Sequence, residues 1–345
     1  MPRSKILVLQ LLAVIVTVSS IYLLAPWRAG ILYLSPLPST VQEQLDSAVA
    51  KNIDGIIVFY HKLGEAPKTL VSGWHDRSQQ IKAKPDALFK IASIGKLYDA
   101  SAIAKLVANG SLSLDGTLAQ YLPSLALRIE NADEITIRML VEHRSGIPNY
   151  TDQPGFNWGE TSVGADDNLN LVLDLPADFK PNADYGYSNT NYLLLSIIMK
   201  KVLGYDHSTF IKEAILDPLN LKNTHFSVND IDLNDLMSGY HIDYDYDFKG
   251  LDQGFVATAE DVGVFLRALN DGSLFTEKEQ EIYQSIYEYE HTGWVLGYYS
   301  IARYHKDIDT VVIQFVNTVG GNTLTFNDVM YHRIVKILSQ PTEKN

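Results

Sequence analysis

The sequence predicts a mixed α/β chain of the α+β type: one antiparallel sheet built from both termini and flanked by helices, with a mostly helical lobe inserted between. Two observations predict it. Strand-like runs lie at residues 53–62, 69–75, 300–305 and 310–317, whereas helical periodicity dominates the middle of the chain. The 345 residues are 46% hydrophobic and 20% charged, an ordinary globular balance that can bury a sizeable core. A third observation adds an N-terminal transmembrane helix ahead of that core.

Residues 6–27 form an uncharged apolar run of 22 residues, preceded by Arg3 and Lys5. A membrane-crossing helix needs about 20 residues. A cleaved signal peptide carries a shorter apolar region, about 7–15 residues, before a small-x-small site. Leu23-Leu24-Ala25 followed by Pro26 is a poor site, so an uncleaved anchor is favoured. Positive charge before the helix puts the N-terminus in the cytoplasm and the rest outside, a single-pass protein of the inner (cytoplasmic) membrane facing the periplasmic or extracellular side.

Ser35-Pro36-Leu37-Pro38 reads as a short stiff spacer. Ser39 or Thr40 then caps a helix running to about Lys51. The runs 53–62 and 69–75 flank a turn at Gly64-Glu65 and suggest a hairpin. Helix signals follow over 93–108, stopped by Asn109-Gly110, and recur at 136–143, 189–203 and 208–216. Irregular sequence fills 149–167. A helix at 259–269, the second strand pair and a last helix at 326–338 complete the chain. The expected organisation is an anchor and spacer over 1–34 and one domain over 35–345. Its α/β lobe takes about 35–110 and 250–345, and its helical lobe about 111–249.

The net charge of −13 repels polyanions, so nucleic acid is excluded as a partner. With no cysteine, disulfides, thiolate metal sites, a cysteine nucleophile and a lipoprotein anchor are excluded together.

Three short motifs can carry chemistry. Ser93-Ile94-Gly95-Lys96 sits at the start of an apolar helix, where residues three apart share a face and Lys96 can approach the Ser93 hydroxyl. A serine hydroxyl needs such a neighbour to act as a nucleophile, and a helix N-terminus suits a developing oxyanion. Tyr187-Ser188-Asn189 stands at the turn into the helix 189–203. Tyr187 beside an ammonium can shuttle protons, and Asn189 can hold Lys96 or bond a substrate amide. His291-Thr292-Gly293 follows an alternating stretch and reads as a strand, with the Trp294 N–H as an oxyanion donor. Each also has a plain structural reading: a helix-cap serine with a solvated lysine, a helix N-cap with an aromatic staple, and a strand ending in a turn.

Together these segments resemble the serine β-lactamase and penicillin-binding-protein superfamily. The similarity is to its class C β-lactamase-related branch, which includes D-aminopeptidases, D-Ala-D-Ala carboxypeptidases and esterases. Phe89-Lys90-Ile91-Ala92-Ser93-Ile94-Gly95-Lys96 resembles its nucleophile segment, and Tyr187-Ser188-Asn189-Thr190-Asn191-Tyr192 its second motif. His291-Thr292-Gly293 resembles the third. Thr136-Ile137-Arg138 with Glu142-His143-Arg144-Ser145-Gly146-Ile147-Pro148, and Gly254-Phe255 with Thr258-Ala259-Glu260-Asp261, resemble signatures between them. The resemblance spans about residues 34–337 in the family's order. It implies a β-lactamase/DD-peptidase-like fold and an acyl-enzyme on Ser93. Lys96 and Tyr187 would handle the proton, and the Ser93 and Trp294 N–H groups would form the oxyanion hole.

Two departures from that pattern matter. His291 stands where lactamases and carboxypeptidases carry lysine, so the fixed charge facing a substrate carboxylate is missing. Only a short stretch separates Gly272 from His291, where family members often place another strand, so a trimmed sheet and a more open cleft are expected. No glutamate is arranged like the deacylating residue of class A lactamases.

Asp243, Asp245 and Asp247 alternate with Tyr244, Tyr246 and Phe248. Their spacing is that of a calcium loop, but Phe248 replaces the required glycine, so a strand with one solvated face is expected and no metal site. His61, His75, His143, His241 and His305 read as surface or structural histidines. No cofactor is implied. The leading reading is a serine hydrolase acting on an ester or amide in a small molecule or peptide, including D-amino-acid peptides of cell-wall origin. The alternatives are a class C-like β-lactamase and a silent penicillin- or cell-wall-binding domain; silence is disfavoured by the joint presence of Ser93, Lys96 and Tyr187. The oligomeric state is not legible in the sequence.

Overall fold

A computed structural model describes residues 3–51, 53–159 and 164–340. The Arg3 side chain and residues 160–163 of the irregular connection lie outside what it describes.

A six-stranded antiparallel sheet is shared by the two ends of the chain. The first part supplies β1 (Gly55–Lys62), β2 (Lys68–Asp76) and β3 (Ile81–Lys82). The last part supplies β4 (His291–Val295), β5 (Tyr298–His305) and β6 (Thr310–Val316). Their order is β3-β2-β1-β6-β5-β4, so β1 and β6 meet at the centre, with Ile57 opposite Phe315.

Two-residue alternation explains why these central strands are apolar throughout. Ile56, Val58, Val312 and Val316 face one core, filled by Leu45, Phe326, Met330 and Ile334. Ile57, Phe59, Val311, Ile313 and Phe315 face the other, shared with the helical lobe. Helices α1 (Arg3–Leu24), α2 (Trp27–Leu34) and α3 (Val41–Val49) follow one another at the start of the chain, and of these α2 and α3 pack into the first core. Thr40 caps α3 in a reciprocal capping box with Glu43.

The helix expected from Ser93 starts two residues later. Ala92–Ile94 form a 3₁₀ turn, and the helix α4 proper is Gly95–Ala108. The helical lobe centres on α5 (Asn189–Leu203), ended by left-handed Gly204. The expected helix 208–216 divides into His207–Ile211 and a π-turn at Lys212–Leu216. Helices α6 (Ala259–Asp271) and α7 (Glu277–Gln284) and the final helix α8 (Thr323–Leu338) follow. Gly263 of α6 lies against the Phe59 ring so closely that a Cβ would collide with it, which lets the helix settle onto the sheet.

Between Gly272 and His291 the described residues hold α7 and no strand, and the sheet ends at β4. The Asp243–Asp247 stretch is corrected: these residues form turns after the short strand Tyr240–His241, not a strand of their own. Asp247 Oδ1 accepts the N–H groups of Gly239 and Lys249, so local side-chain bonds displace a ladder.

Sequence reading ends the anchor and spacer at residue 34. The structure packs α2 onto the domain, burying Ala29 and Leu32. Arg333 fixes the chain just beyond α2, donating to the carbonyls of Ser35 at 2.9 Å and Pro36 at 2.7 Å. By contrast, α1 is not buried against the rest of the protein.

Candidate active site

A small sheet sets the position of Ser93. Strand Phe89–Lys90 pairs with Val256–Ala257, and Phe89 stacks on Phe315 with ring centroids 4.5 Å apart. The Ile91 N–H donates to the Phe255 carbonyl at 3.0 Å. Ala92 then adopts a left-handed φ of 49°, an uncommon conformation for a side-chain-bearing residue, and the turn presents Ser93 at the mouth of α4.

Three side chains converge there. The Tyr187 hydroxyl lies 2.8 Å from Ser93 Oγ. Lys96 Nζ donates to Ser93 Oγ at 3.3 Å and to Asn189 Oδ1 at 2.9 Å. The ammonium also sits 5.1 Å from the Tyr187 ring centroid and 5.3 Å from that of Tyr192. One turn further on, Asp99 is a buried carboxyl whose pKa is raised by desolvation, with His207 and Lys96 pulling it back.

The sequence reading missed the scaffold behind this cluster. Asn149 Oδ1 accepts the Asn189 N–H at 3.0 Å, and Thr151 Oγ1 accepts from Asn189 Nδ2 at 3.3 Å. These contacts turn the Asn189 carbonyl oxygen toward Lys96. His143 is buried with its ring 4.4 Å from Tyr187, and its Nδ1 accepts the Ser188 N–H at 3.2 Å. Burial first, then the charges of Lys96 and His291, push its pKa down to about 3. It is therefore neutral, with its proton on Nε2, and acts as a positioning residue. The signal in the sequence was the segment 142–148, which contains His143 and leads into Asn149 and Thr151.

The third motif lies on edge strand β4, where Gly293 pairs with Ser300 of β5. A Cβ at Gly293 would strike the Ile91 carbonyl and Ser300 Oγ, so glycine lets β4 close against the Ser93 turn. Ser300 Oγ donates to that carbonyl at 3.2 Å. His291 Nδ1 donates to the Thr292 carbonyl at 2.5 Å, which places its proton on Nδ1 and leaves Nε2 as an acceptor. Desolvation dominates over that hydrogen bond and lowers its pKa to about 4. Thr292 is half-buried and pairs with Ile301, and the half-buried Trp294 packs edge-on against Trp158 at 5.2 Å.

A cavity of about 400 Å³ adjoins this cluster, lined by His143, Tyr185, Ile286 and Tyr287 among others. The Tyr287 ring lies nearly parallel to His291 at 6.2 Å, joining the cavity to the third motif. Among the described residues no group of three or more His, Asp or Glu is placed to hold a metal ion.

A family model described as beta-lactamase matches residues 40–286. Penicillin-binding protein 4* of Bacillus subtilis (strain 168) is 29% identical over 197 residues, covering 56% of this chain and 41% of that protein. The match thus spans about two fifths of that relative's length. The D-amino acid amidase from Ochrobactrum anthropi SV3, solved with L-phenylalanine amide, superposes with a TM-score of 0.77 at 21% identity, covering 88% of this chain and 99% of that one. A D-stereospecific amidohydrolase from Streptomyces sp. gives 0.71 at 22% identity, covering 86% and 99%. At these identities the two structures show a shared fold.

Proposed function

The chain belongs to the beta-lactamase family, and from that premise we propose that it is a serine hydrolase forming an acyl-enzyme on Ser93 to cleave an ester or amide. The observation that carries this is the shared approach of Tyr187 and Lys96 to Ser93 Oγ, at 2.8 and 3.3 Å.

Ser93 Oγ attacks the substrate carbonyl while its proton passes to the Tyr187–Lys96 pair. The two groups act as one coupled proton acceptor. The tetrahedral oxyanion is received by the N–H groups of Ser93 and Trp294, at the closure of β4 on the Ser93 turn. The carbon–nitrogen or carbon–oxygen bond then breaks, and the same proton goes to the leaving group. Water, activated by the same pair, adds to the acyl carbon and regenerates Ser93. Asn189 and Thr292 line the cleft for substrate hydrogen bonds.

Neutral His291 narrows the substrate. With its pKa near 4 it offers an uncharged acceptor rather than a cation opposite a substrate carboxylate. This favours an amide or ester without a free carboxylate at the leaving end, such as a D-amino-acid amide, over β-lactams and D-Ala-D-Ala peptides. Exposed α1, whose apolar run follows Lys5, supports a single-pass anchor in the cytoplasmic membrane with the catalytic domain outside. Assays of the full chain on D-phenylalanine amide, a nitrophenyl ester, a D-Ala-D-Ala peptide and a cephalosporin test the substrate reading. Turnover of the amide or ester that Ser93→Ala abolishes supports it; turnover that survives Ser93→Ala overturns it.

A further inference from the structure

Helix α2 is apolar on two opposite faces. At 100° per residue, Leu32 and Ala29 share one side, and this side is buried in the core against α3 and α8. Trp27, Ile31 and Leu34 fall on the other, at i, i+4 and i+7. That stripe is not covered by any other element among the described residues: Trp27 is 51% exposed, Ile31 63% and Leu34 82%. An eight-residue surface helix with three large apolar side chains on its outer face is unusual for a water-facing element.

We infer that this outer stripe is seated in the lipid headgroup region, so that α2 docks the catalytic domain on the bilayer instead of tethering it at a distance. The inference rests on the proposed anchor, and three observations carry it further. Only Ala25 and Pro26 separate the exposed span Ser4–Leu24 from Trp27, and the Trp27 indole N–H returns to the Tyr22 carbonyl at 2.9 Å. The stripe therefore begins where the span leaves the hydrocarbon. Its aromatic residue, Trp27, is of a type enriched at that depth. The connection to the domain is also stiff. Arg333 of α8 holds the carbonyls of Ser35 and Pro36 and the Gln44 side chain, and Ser35 Oγ donates to the Leu32 carbonyl at 2.7 Å. A lipid-seated α2 thus fixes the orientation of the whole sheet, and with it the height of the Ser93 cleft above the membrane.

Because the chain contains no cysteine, single spin labels report without background. The full chain is reconstituted in vesicles of phosphatidylethanolamine and phosphatidylglycerol, labelled in turn at Val14→Cys, Ile31→Cys, Leu34→Cys and Leu127→Cys. Val14 marks the span, and Leu127, 90% exposed on the helical lobe, marks water. The ratio of collision with oxygen to collision with a water-soluble nickel complex is then read at each site. Ratios at Ile31 and Leu34 inverted relative to Leu127, and approaching Val14, are expected. Ratios at Ile31 and Leu34 equal to Leu127 while Val14 stays in lipid overturn the docking and leave the anchor standing. A Val14 label in water, or lost with a processed leader, removes the anchor and the docking together.

Discussion

The His143 ring packs 4.4 Å from the ring of Tyr187, and its Nδ1 holds the N–H of the next residue, Ser188. The tyrosine that meets Ser93 is thus supported from behind by an imidazole kept neutral by burial. Removing the acceptor leaves a buried N–H unsatisfied, which costs about 1–3 kcal/mol. His143→Leu is expected to lose stability of that order in urea denaturation and to lower kcat, and His143→Asn to recover part of both.

The same burial sets a pH dependence. His143 and His291 have folded pKa values of about 3 and 4, below the ordinary 6.5 of the unfolded chain. Between those values the unfolded state binds protons that the folded state does not. Their stabilising contribution is full above pH 6.5 and is lost as pH falls toward 4, by up to about 1.4 kcal/mol per pH unit for each histidine. Denaturation midpoints are expected to drop over that window, and less steeply in His143→Asn and His291→Asn.

Tyr187→Phe keeps the ring packing on His143 and removes only the hydroxyl at Ser93. A loss of about 10²–10⁴ in kcat is expected, with the thermal midpoint nearly unchanged. Lys96→Met is expected to fall comparably, and the double variant to add little, because the two act as a unit.

His291→Lys supplies the fixed charge that the third motif lacks. Relative kcat/KM for a carboxylate-bearing cephalosporin against a neutral ester is expected to rise on the order of tenfold, equivalent to about 1.4 kcal/mol. An unchanged ratio would remove His291 from the account of substrate choice.

Lys90 is buried, and its Nζ donates to the carbonyls of Phe248 at 2.7 Å and Leu251 at 2.5 Å. Desolvation lowers its pKa to about 7, against 10.5 in the unfolded chain. Above pH 7 the folded state sheds a proton that the unfolded state keeps, so this group stabilises the fold increasingly as pH rises. The stability difference between the parent and Lys90→Met is expected to shift in the parent's favour from pH 7 to pH 9 in urea titrations.

The features legible in the sequence are those encoded locally. Ser93 and Lys96 lie three apart, Tyr187 and Asn189 lie two apart, and each pair arrives in place through one turn and one helix. The hairpin β1–β2 and the cap at Thr40, one of the two candidates with Ser39, were readable for the same reason. The contacts of Asn149, Thr151 and His143 were not, because they reach 188–189 across about forty residues of mostly irregular chain; the segment 142–148 marks His143 but not what it touches. The Asp–Tyr alternation at 243–248 mimics a strand, but Asp247 spends its carboxylate on backbone N–H groups. Helix α2 was hidden inside the apolar run and the spacer, since apolar side chains look alike whether they face protein or lipid.

The central claim is that Ser93 is an activated nucleophile, and a fluorophosphonate probe tests it most directly. The full chain is treated with the probe and its intact mass read, with Ser93→Ala alongside. The account predicts one phosphonyl adduct on the parent protein and none on Ser93→Ala. Folded parent protein that takes up no adduct, or an adduct that persists in Ser93→Ala, would contradict it.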